Sequence, residues 1–285
     1  MRGLIGIGVA VAALGATGAA AAEPGVEIKY AAARVTIIPE ARPDISVTVI
    51  RANPRLPLSI TQTADGVTVD GDLRGRWHNC HTMFGRRSVN VWGVGDVAYA
   101  DLPQLLIRTP MNVRVGAGDA VFGVVGRGDS VDLANSGCGD WTVANVNGPL
   151  NIRLSGSGDV HAGGAGSADF RVSGSADIFA RAIRGGLATA TSGSGDITAD
   201  WVGGPLRSRI AGSGDVRVHN GQVSDMDVSI SGSGDVRFGG VAQNLEVQVA
   251  GSGDVMVARV NGAVSKHIAG SGDVRIGGWG AAASK

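Results

Sequence analysis

The chain has 285 residues and carries 25 lysines and arginines against 25 aspartates and glutamates, so it has no formal net charge. This balance argues against a nucleic-acid-binding protein, which normally carries an excess of basic residues. Glycine is abundant at 47 residues, aromatic residues make up only 4%, and 44% of the chain is apolar. This composition excludes wholesale disorder and favours short strands joined by tight turns.

Residues 1–22 have the features of a secretory signal peptide. Arg2 supplies an early positive charge, an apolar run follows from Leu4, and small residues form an A-x-A cleavage site before Glu23. The run is too short for a membrane anchor, and no later apolar stretch reaches the roughly 18 residues of a spanning helix. We therefore expect the mature protein to be exported to the periplasm, the cell surface or the medium, and not to span the membrane.

Residues 23–114 show strand patterns without a regular period. The segments "VEIKYAAARVTIIPE", "ISVTVIRA", "PLSITQTADGVTVDGDL" and "RSVNVWGVGDVAYA" are typical of strands bounded by turns. Terminal units of a repeat protein are expected to be atypical, so this region is predicted to begin and cap the fold that follows.

One segment in this region, "RGRWHNCHTMFGRR", interrupts the strand pattern. Its aromatic and arginine side chains suit a binding surface. The candidate binding residues are Trp77, His78, His81, Arg86 and Arg87. The His-x-Cys-His spacing matches no established zinc signature, so no metal site is assigned.

Gly-Ser-Gly-Asp sequences recur through residues 115–276 at a spacing of about 20 residues. The aspartates that close the copies are Asp119, Asp140, Asp159, Asp177, Asp196, Asp215, Asp235, Asp254 and Asp273. Between them, apolar and polar residues alternate as in strands, and glycine pairs such as "FGG" mark a second bend. A unit this short can bury an apolar face only by stacking on the next unit.

The fold predicted for residues 115–276 is therefore an all-β solenoid, a right-handed parallel β-helix with one repeat per coil. Residues 277–285 form a short C-terminal tail. The alternation predicts that Val216, Val236, Val255 and Val274 occupy one buried column. In the last coil it predicts inward Val264 and Ile268, with Met256 and Lys266 facing outward.

The corner itself is interpreted as structural. Its first glycine is expected to supply a backbone angle that other residues resist, and its aspartate to accept hydrogen bonds from the N–H groups of the turn. Those bonds would lower the carboxyl pKa values, whereas repulsion along the column would raise them. No cofactor is predicted; calcium is the alternative, although the motif does not match known calcium β-roll repeats.

The two cysteines are Cys80, in the irregular segment, and Cys138, in a corner where other coils have serine. In an oxidising compartment such a pair indicates a disulfide bond. Two free thiols remain the alternative.

Strands such as "VTIIPEARPDISVTVI" and "GVTVDGDL", followed by repeated "GSGDV", resemble the auto-transporter adhesin head GIN domain family over residues 30–276. The resemblance implies a β-helical, exported or envelope-associated protein with an adhesin-like role, and it brings no catalytic residues. The predicted function is a rigid binding or structural protein for envelope glycans or protein partners. The alternative is a polysaccharide-active lyase or hydrolase, which would need clustered acids or bases in a cleft; no such cluster is evident, so an enzyme is not predicted.

Overall fold

A computed structural model describes residues 24–63, 65–83 and 86–277 and shows stacked coils of parallel strands, which confirms the predicted β-solenoid. The expected signal peptide and the tail beyond residue 277 lie outside the described residues. Among the residues that are described, no helix is long and apolar enough to cross a membrane.

The irregular N-terminal part consists of strands and one short 3-10 helix, η1. In chain order these elements are β1 (Gly25–Lys29), β2 (Ala32–Pro39), β3 (Ser46–Arg51), β4 (Ser59–Thr63), β5 (Gly66–Asp70), β6 (Trp77–Met83), β7 (Arg86–Val91), β8 (Gly95–Ala98), η1 (Tyr99–Asp101) and β9 (Gln104–Thr109).

The regular part continues with strands alone. These are β10 (Asn112–Ala117), β11 (Ala120–Val125), β12 (Ser130–Asn135), β13 (Trp141–Val143), β14 (Pro149–Leu154), β15 (Val160–Ala162), β16 (Ser167–Val172), β17 (Ile178–Ile183), β18 (Leu187–Thr191), β19 (Ile197–Val202), β20 (Leu206–Ile210), β21 (Val216–Ile230), β22 (Val236–Val249), β23 (Val255–Val260), β24 (Val264–Ile268) and β25 (Val274–Ile276).

Each coil bends at the Gly-x-Gly-Asp corner, which separates two faces of the solenoid. The strands that precede the corner form face one, and those that follow it form face two. On face one β18 pairs in parallel with β20, and on face two β17 pairs in parallel with β19. The long strands β21 and β22 pass round the second bend, and each contributes to both faces.

The coil formed by the most N-terminal strands does not lie at the end of the stack of coils. On face one β1 lies between β5 and β10, and on face two β2 lies between β9 and β11. Strands β3 and β4 then pair antiparallel with β9 and β5. Residues 25–39 are therefore intercalated between coils made by later parts of the chain.

The core is a set of apolar columns. Val216, Val236, Val255 and Val274 are in register on successive strands, and all four are buried. This confirms the column predicted from the repeat, in which each coil covers the apolar side chains of its neighbour.

The last coil departs from the prediction because no described coil covers it. Val264 and Ile268 follow the inward phase, yet they are 43% and 40% exposed. Lys266 was expected to face outward, but it is in register with the buried Val247. Its ammonium group donates a hydrogen bond of 2.9 Å to the carbonyl oxygen of Val274, from one face to the other. The prediction for Lys266 was wrong because period-two alternation places it in the same phase as Val264 and Ile268.

The corner glycines are required by close stacking rather than by an unusual φ. A Cβ atom added to Gly193 would overlap with the carbonyl oxygen of Gly174 in the preceding coil, and the same holds for Gly212 against Gly193. Of the corner glycines in the regular coils, Gly270 has a positive φ, at 152°. The expected role of the first glycine is therefore corrected: it allows two backbones to approach each other.

Candidate functional site

The irregular segment forms a three-stranded antiparallel sheet of β6, β7 and β8 beside the solenoid. Cys80 in β6 is bonded to Cys138 in the corner before β13, with Cα atoms 5.9 Å apart. Val89, Val91 and Val97 of this sheet pack with Phe122 of β11 in a separate small core. The sheet is thus fixed to the solenoid both covalently and by apolar contact.

Two of the candidate binding residues contact the solenoid, and a third contacts another residue of the small sheet. The Trp77 side chain is hydrogen-bonded to the Asp119 carboxylate, and Arg87 forms an ion pair of 2.6 Å with Asp140. His81 Nε2 lies 2.9 Å from the Ser88 hydroxyl. His78 and Arg86 belong to β6 and β7, but their side chains are outside the described part of the structure.

Sequence reasoning did not single out Trp92, whose ring is 77% exposed between β7 and β8. No periodic signal marks it, because it lies outside the repeat.

The corner aspartates form a hydrogen-bonded ladder that joins successive coils. From Asp140 to Asp254, each carboxylate accepts a bond from the backbone N–H of the aspartate one coil later, rather than from its own turn as expected. Asp273, in the last described corner, does accept a bond from its own turn, from the N–H of Val274 (2.7 Å). The ladder consists of Asp159 N to Asp140 Oδ1 (3.0 Å), Asp177 N to Asp159 (2.8 Å), Asp196 N to Asp177 (2.8 Å), Asp215 N to Asp196 (2.7 Å), Asp235 N to Asp215 (2.8 Å), Asp254 N to Asp235 (2.8 Å) and Asp273 N to Asp254 (2.9 Å).

Asp119 is in the first predicted corner but differs from the other eight aspartates. It has a left-handed backbone with φ of 59°. Its carboxylate is hydrogen-bonded to the backbone of Tyr30 and Ala31, which belong to the intercalated coil. Burial raises the pKa of Asp119 above its ordinary value, and these hydrogen bonds oppose the shift.

Arginines form ion pairs with aspartates at both ends of the ladder and within it, beginning with Arg87 on Asp140. Arg237 contacts both Asp215 (3.3 Å) and Asp235 (2.7 Å), and Arg275 contacts Asp273 (2.9 Å). At the second aspartate of the ladder, burial raises the pKa of Asp159; the N–H of Asp177 opposes this shift, and the neighbouring carboxylates add to it. Within the described residues there is no group of three or more His, Cys, Asp or Glu that could hold a metal ion.

A groove of 720 Å³ runs along the outer side of face one, next to the corner. We call the residues in register along it the groove column. The groove column consists of Gly116, Ala134, Arg153, Arg171, Ala190, Arg209 and Ser229.

A second row of small residues borders the groove, one in each coil, just before the first corner glycine. This serine row consists of Ser136, Ser155, Ser173, Ser192 and Ser231, with Ala211 in place of serine in one coil. The groove therefore has a floor of small side chains, a hydroxyl rim and three arginines. Its position follows from the repeat, because each of these coils places a serine or alanine just before the first corner glycine.

Part of the chain matches a known protein family. Residues 183–280 match the family described as "Putative auto-transporter adhesin, head GIN domain". No curated protein matches the chain.

Two solved structures from Parabacteroides distasonis are similar in fold. One is a "putative lipid binding protein", 14% identical over 89% of this chain and 93% of that chain, with a TM-score of 0.48. The other is a "putative adhesin", 17% identical over 90% of this chain and 93% of that chain, with a TM-score of 0.39.

Proposed function

We propose that this chain, of which residues 183–280 match the family of auto-transporter adhesin head GIN domains, is an exported, adhesin-like binding protein of the cell envelope. It holds an extended ligand, a glycan or a segment of a protein partner, in the groove on face one. The signal-peptide features of residues 1–22 support export.

The groove is the observation that carries this proposal. It crosses seven strands in register, from Gly116 on β10 to Ser229 on β21. At the usual strand spacing of about 4.8 Å, this corresponds to roughly 29 Å between the first strand and the last. Parallel pairing and the aspartate ladder hold these strands in place, so the surface is formed before a ligand arrives and little ordering is needed on binding.

The chemistry of the groove favours retention of a ligand over its cleavage. Glycoside hydrolysis generally uses two carboxyl groups that flank the reacting bond. Among the described residues that line the groove, Glu27 is the one carboxylate, and it lies beside Gly116 at the N-terminal end. A polymer in the rest of the groove would meet serine, alanine and arginine side chains.

Binding in the groove is tested by filling it. Ala190 lies in the groove column, and Ala188 lies in the same strand but outside the groove. Ala190→Trp is expected to reduce retention on a glycan and peptide library by about tenfold or more, because the indole occupies the floor. Ala188→Trp is the matched control and should retain the ligand within about twofold.

The same library is scored for shortened products. Retention that neither substitution changes would place the binding site elsewhere, and release of shortened glycans would favour the polysaccharide-active alternative. Export is tested separately by the N-terminal sequence of protein recovered from the cell envelope, which is expected to begin at Glu23.

A further inference from the structure

We propose that the ligand of the groove is an acidic polysaccharide, whose anionic groups are bound by Arg153, Arg171 and Arg209. This inference rests on the proposed function, because it names the chemical class of the ligand held in the same groove.

The charge of the groove is positive although the chain as a whole is neutral. Its lining contains Arg153, Arg171 and Arg209 against the single carboxylate of Glu27. Arg153 and Arg171 are direct neighbours on β14 and β16, and Arg209 follows two coils later, after Ala190. The positive charges therefore recur along the groove in the direction in which a polymer would lie.

The adjacent arginines are not fully neutralised by the protein. Like charges directly opposite each other on neighbouring strands are unfavourable. Arg153 contacts Asp132 at 2.5 Å and Arg171 contacts Asp169 at 2.7 Å, but both arginine side chains are about half exposed, at 47% and 54%. Exposed pairs of this kind are weak, so an incoming anion can share or replace them. Arg209 is exposed and has no ion-pair partner among the described residues.

Hydroxyl groups beside the arginines suit a sugar chain. Ser173 Oγ donates to the carbonyl of Leu154 (3.3 Å) and Ser231 Oγ to that of Ile210 (3.4 Å), which leaves both oxygens able to accept hydrogen bonds from a ligand. Sugar hydroxyls can both donate and accept, so they complement this row.

A single polymer chain fits this surface better than an anionic membrane does. On the outer side of face one, next to the groove column, lies a second column with more carboxylates than arginines. It contains Asp132, Asp169, Asp227 and Glu246 against Arg114 and Arg207. A flat bilayer covering the face would meet these carboxylates together with the arginines and would be repelled by them. A chain confined to the groove meets the arginines first, and Gly116, Ala134 and Ala190 leave it room.

The test measures binding of polygalacturonate, neutral dextran and vesicles containing phosphatidylglycerol to the full mature protein. The triple variant Arg153→Gln/Arg171→Gln/Arg209→Gln is compared with a matched variant that removes the same charge elsewhere, Arg127→Gln/Arg181→Gln/Arg259→Gln. The groove variant is expected to lose about tenfold or more in affinity for polygalacturonate, and the matched variant to stay within about twofold. Wild-type binding should also weaken as salt rises. Equal thermal midpoints of the two variants would show that folding is not the cause.

Each other outcome overturns the inference. In one such outcome the protein binds dextran as tightly as polygalacturonate, and this binding is lost in Ala190→Trp but unchanged in the groove arginine variant. That result would reject an acidic ligand but would still support the proposed function of the groove. Vesicle binding that depends on the three arginines would replace the polysaccharide with a lipid surface. Polymer binding that is insensitive to both Ala190→Trp and the arginine variant would reject the groove itself.

Discussion

The N-terminal coils and the regular coils have the same parallel pairing, but they turn their corners differently. In the regular coils a strand pairs with the strand one repeat later, as Val216 does with Val236. In the N-terminal coils Val26 pairs with Val67 on one side and Val115 on the other. The same ladder is thus built once from a repeating sequence and once from distant segments.

The corner backbone changes at the junction of the two regions. Asp72, Tyr30 and Asp119, in the three N-terminal corners, are the non-glycine residues with positive φ among those described, at 52°, 52° and 59°. Such left-handed conformations cost about 1 kcal/mol or more each. Among the described residues, the regular corners contain no non-glycine residue with a positive φ, and they are held by close glycine stacking and the aspartate ladder. The disulfide reaches Cys138 in the first corner of the regular type, so the cross-link lies where one type replaces the other.

The largest expected loss of stability comes from placing a charge in the buried valine column of the regular coils. Val236→Asp should lower the free energy of unfolding by about 3–5 kcal/mol, because it buries an unpaired carboxylate between Val216 and Val255. Val274→Asp, in the same column but in the last described coil, should be less harmful because water can reach it. Urea denaturation measures both, and equal losses would show that the coils are not held by this column.

Breaking the disulfide should affect the N-terminal side selectively. Cys80→Ser/Cys138→Ser is expected to lower the free energy of unfolding by about 2–4 kcal/mol, because a 58-residue separation is no longer closed in the unfolded chain. The serine at position 138 matches the residue found in most other corners, so the regular coils should tolerate it. Hydrogen exchange should rise over residues 77–98 and change little beyond Asp159. A uniform rise over all coils would contradict the separation of the two regions.

A single step of the aspartate ladder should have a moderate effect. Asp196→Ala leaves the N–H of Asp215 without its acceptor and should cost about 1–3 kcal/mol. Asp196→Asn keeps an acceptor oxygen and should lose less than half of that amount. The comparison is made by thermal unfolding, with excess calcium and then with EDTA. A midpoint that falls steeply in EDTA would show that the ladder depends on a bound cation rather than on hydrogen bonds between coils.

The smallest expected effect concerns how the stability of the fold depends on pH. Burial raises the folded-state pKa of Asp159, so the folded protein binds this proton more tightly than the unfolded chain, whose aspartates titrate near about 3.9. The contribution of Asp159 is therefore fully present below the unfolded pKa and is lost as pH rises through the higher folded pKa. Asp159→Asn should flatten the dependence of the unfolding midpoint on pH above the unfolded pKa of about 3.9. If the unfolding midpoint depends on pH as steeply in the variant as in the wild type, groups other than Asp159 cause the pH dependence.

The repeat predicted the solenoid, its register and the buried valine column, because stacking requires the same residue type at the same point of every coil. It could not predict the intercalation of β1 and β2, since those strands lack the period and their partners are distant in sequence. The direction of the aspartate hydrogen bonds was also hidden, because a turn and a ladder between coils need the same residues.

The groove had a weak sequence signal that was not used. The signal lies three residues before the first glycine of each corner, at an outward-facing position. There the sequence has a small or basic residue and no large apolar one, as at Arg153, Arg171, Ala190 and Arg209. Only the three-dimensional stacking shows that these positions form one continuous surface.

The position of the first coil, inserted between later coils, also constrains the order in which the strands can pair during folding. Because the chain is synthesised from its N-terminus, β1 and β2 are made before β5, β9, β10 and β11, between which they must fit. Each regular coil, by contrast, meets its partner as soon as the next repeat emerges. Closing the longer loops costs entropy before any pairing compensates for it. We therefore expect pairing to begin among the regular coils, and β1 and β2 to pair only after β5, β9, β10 and β11 have been made.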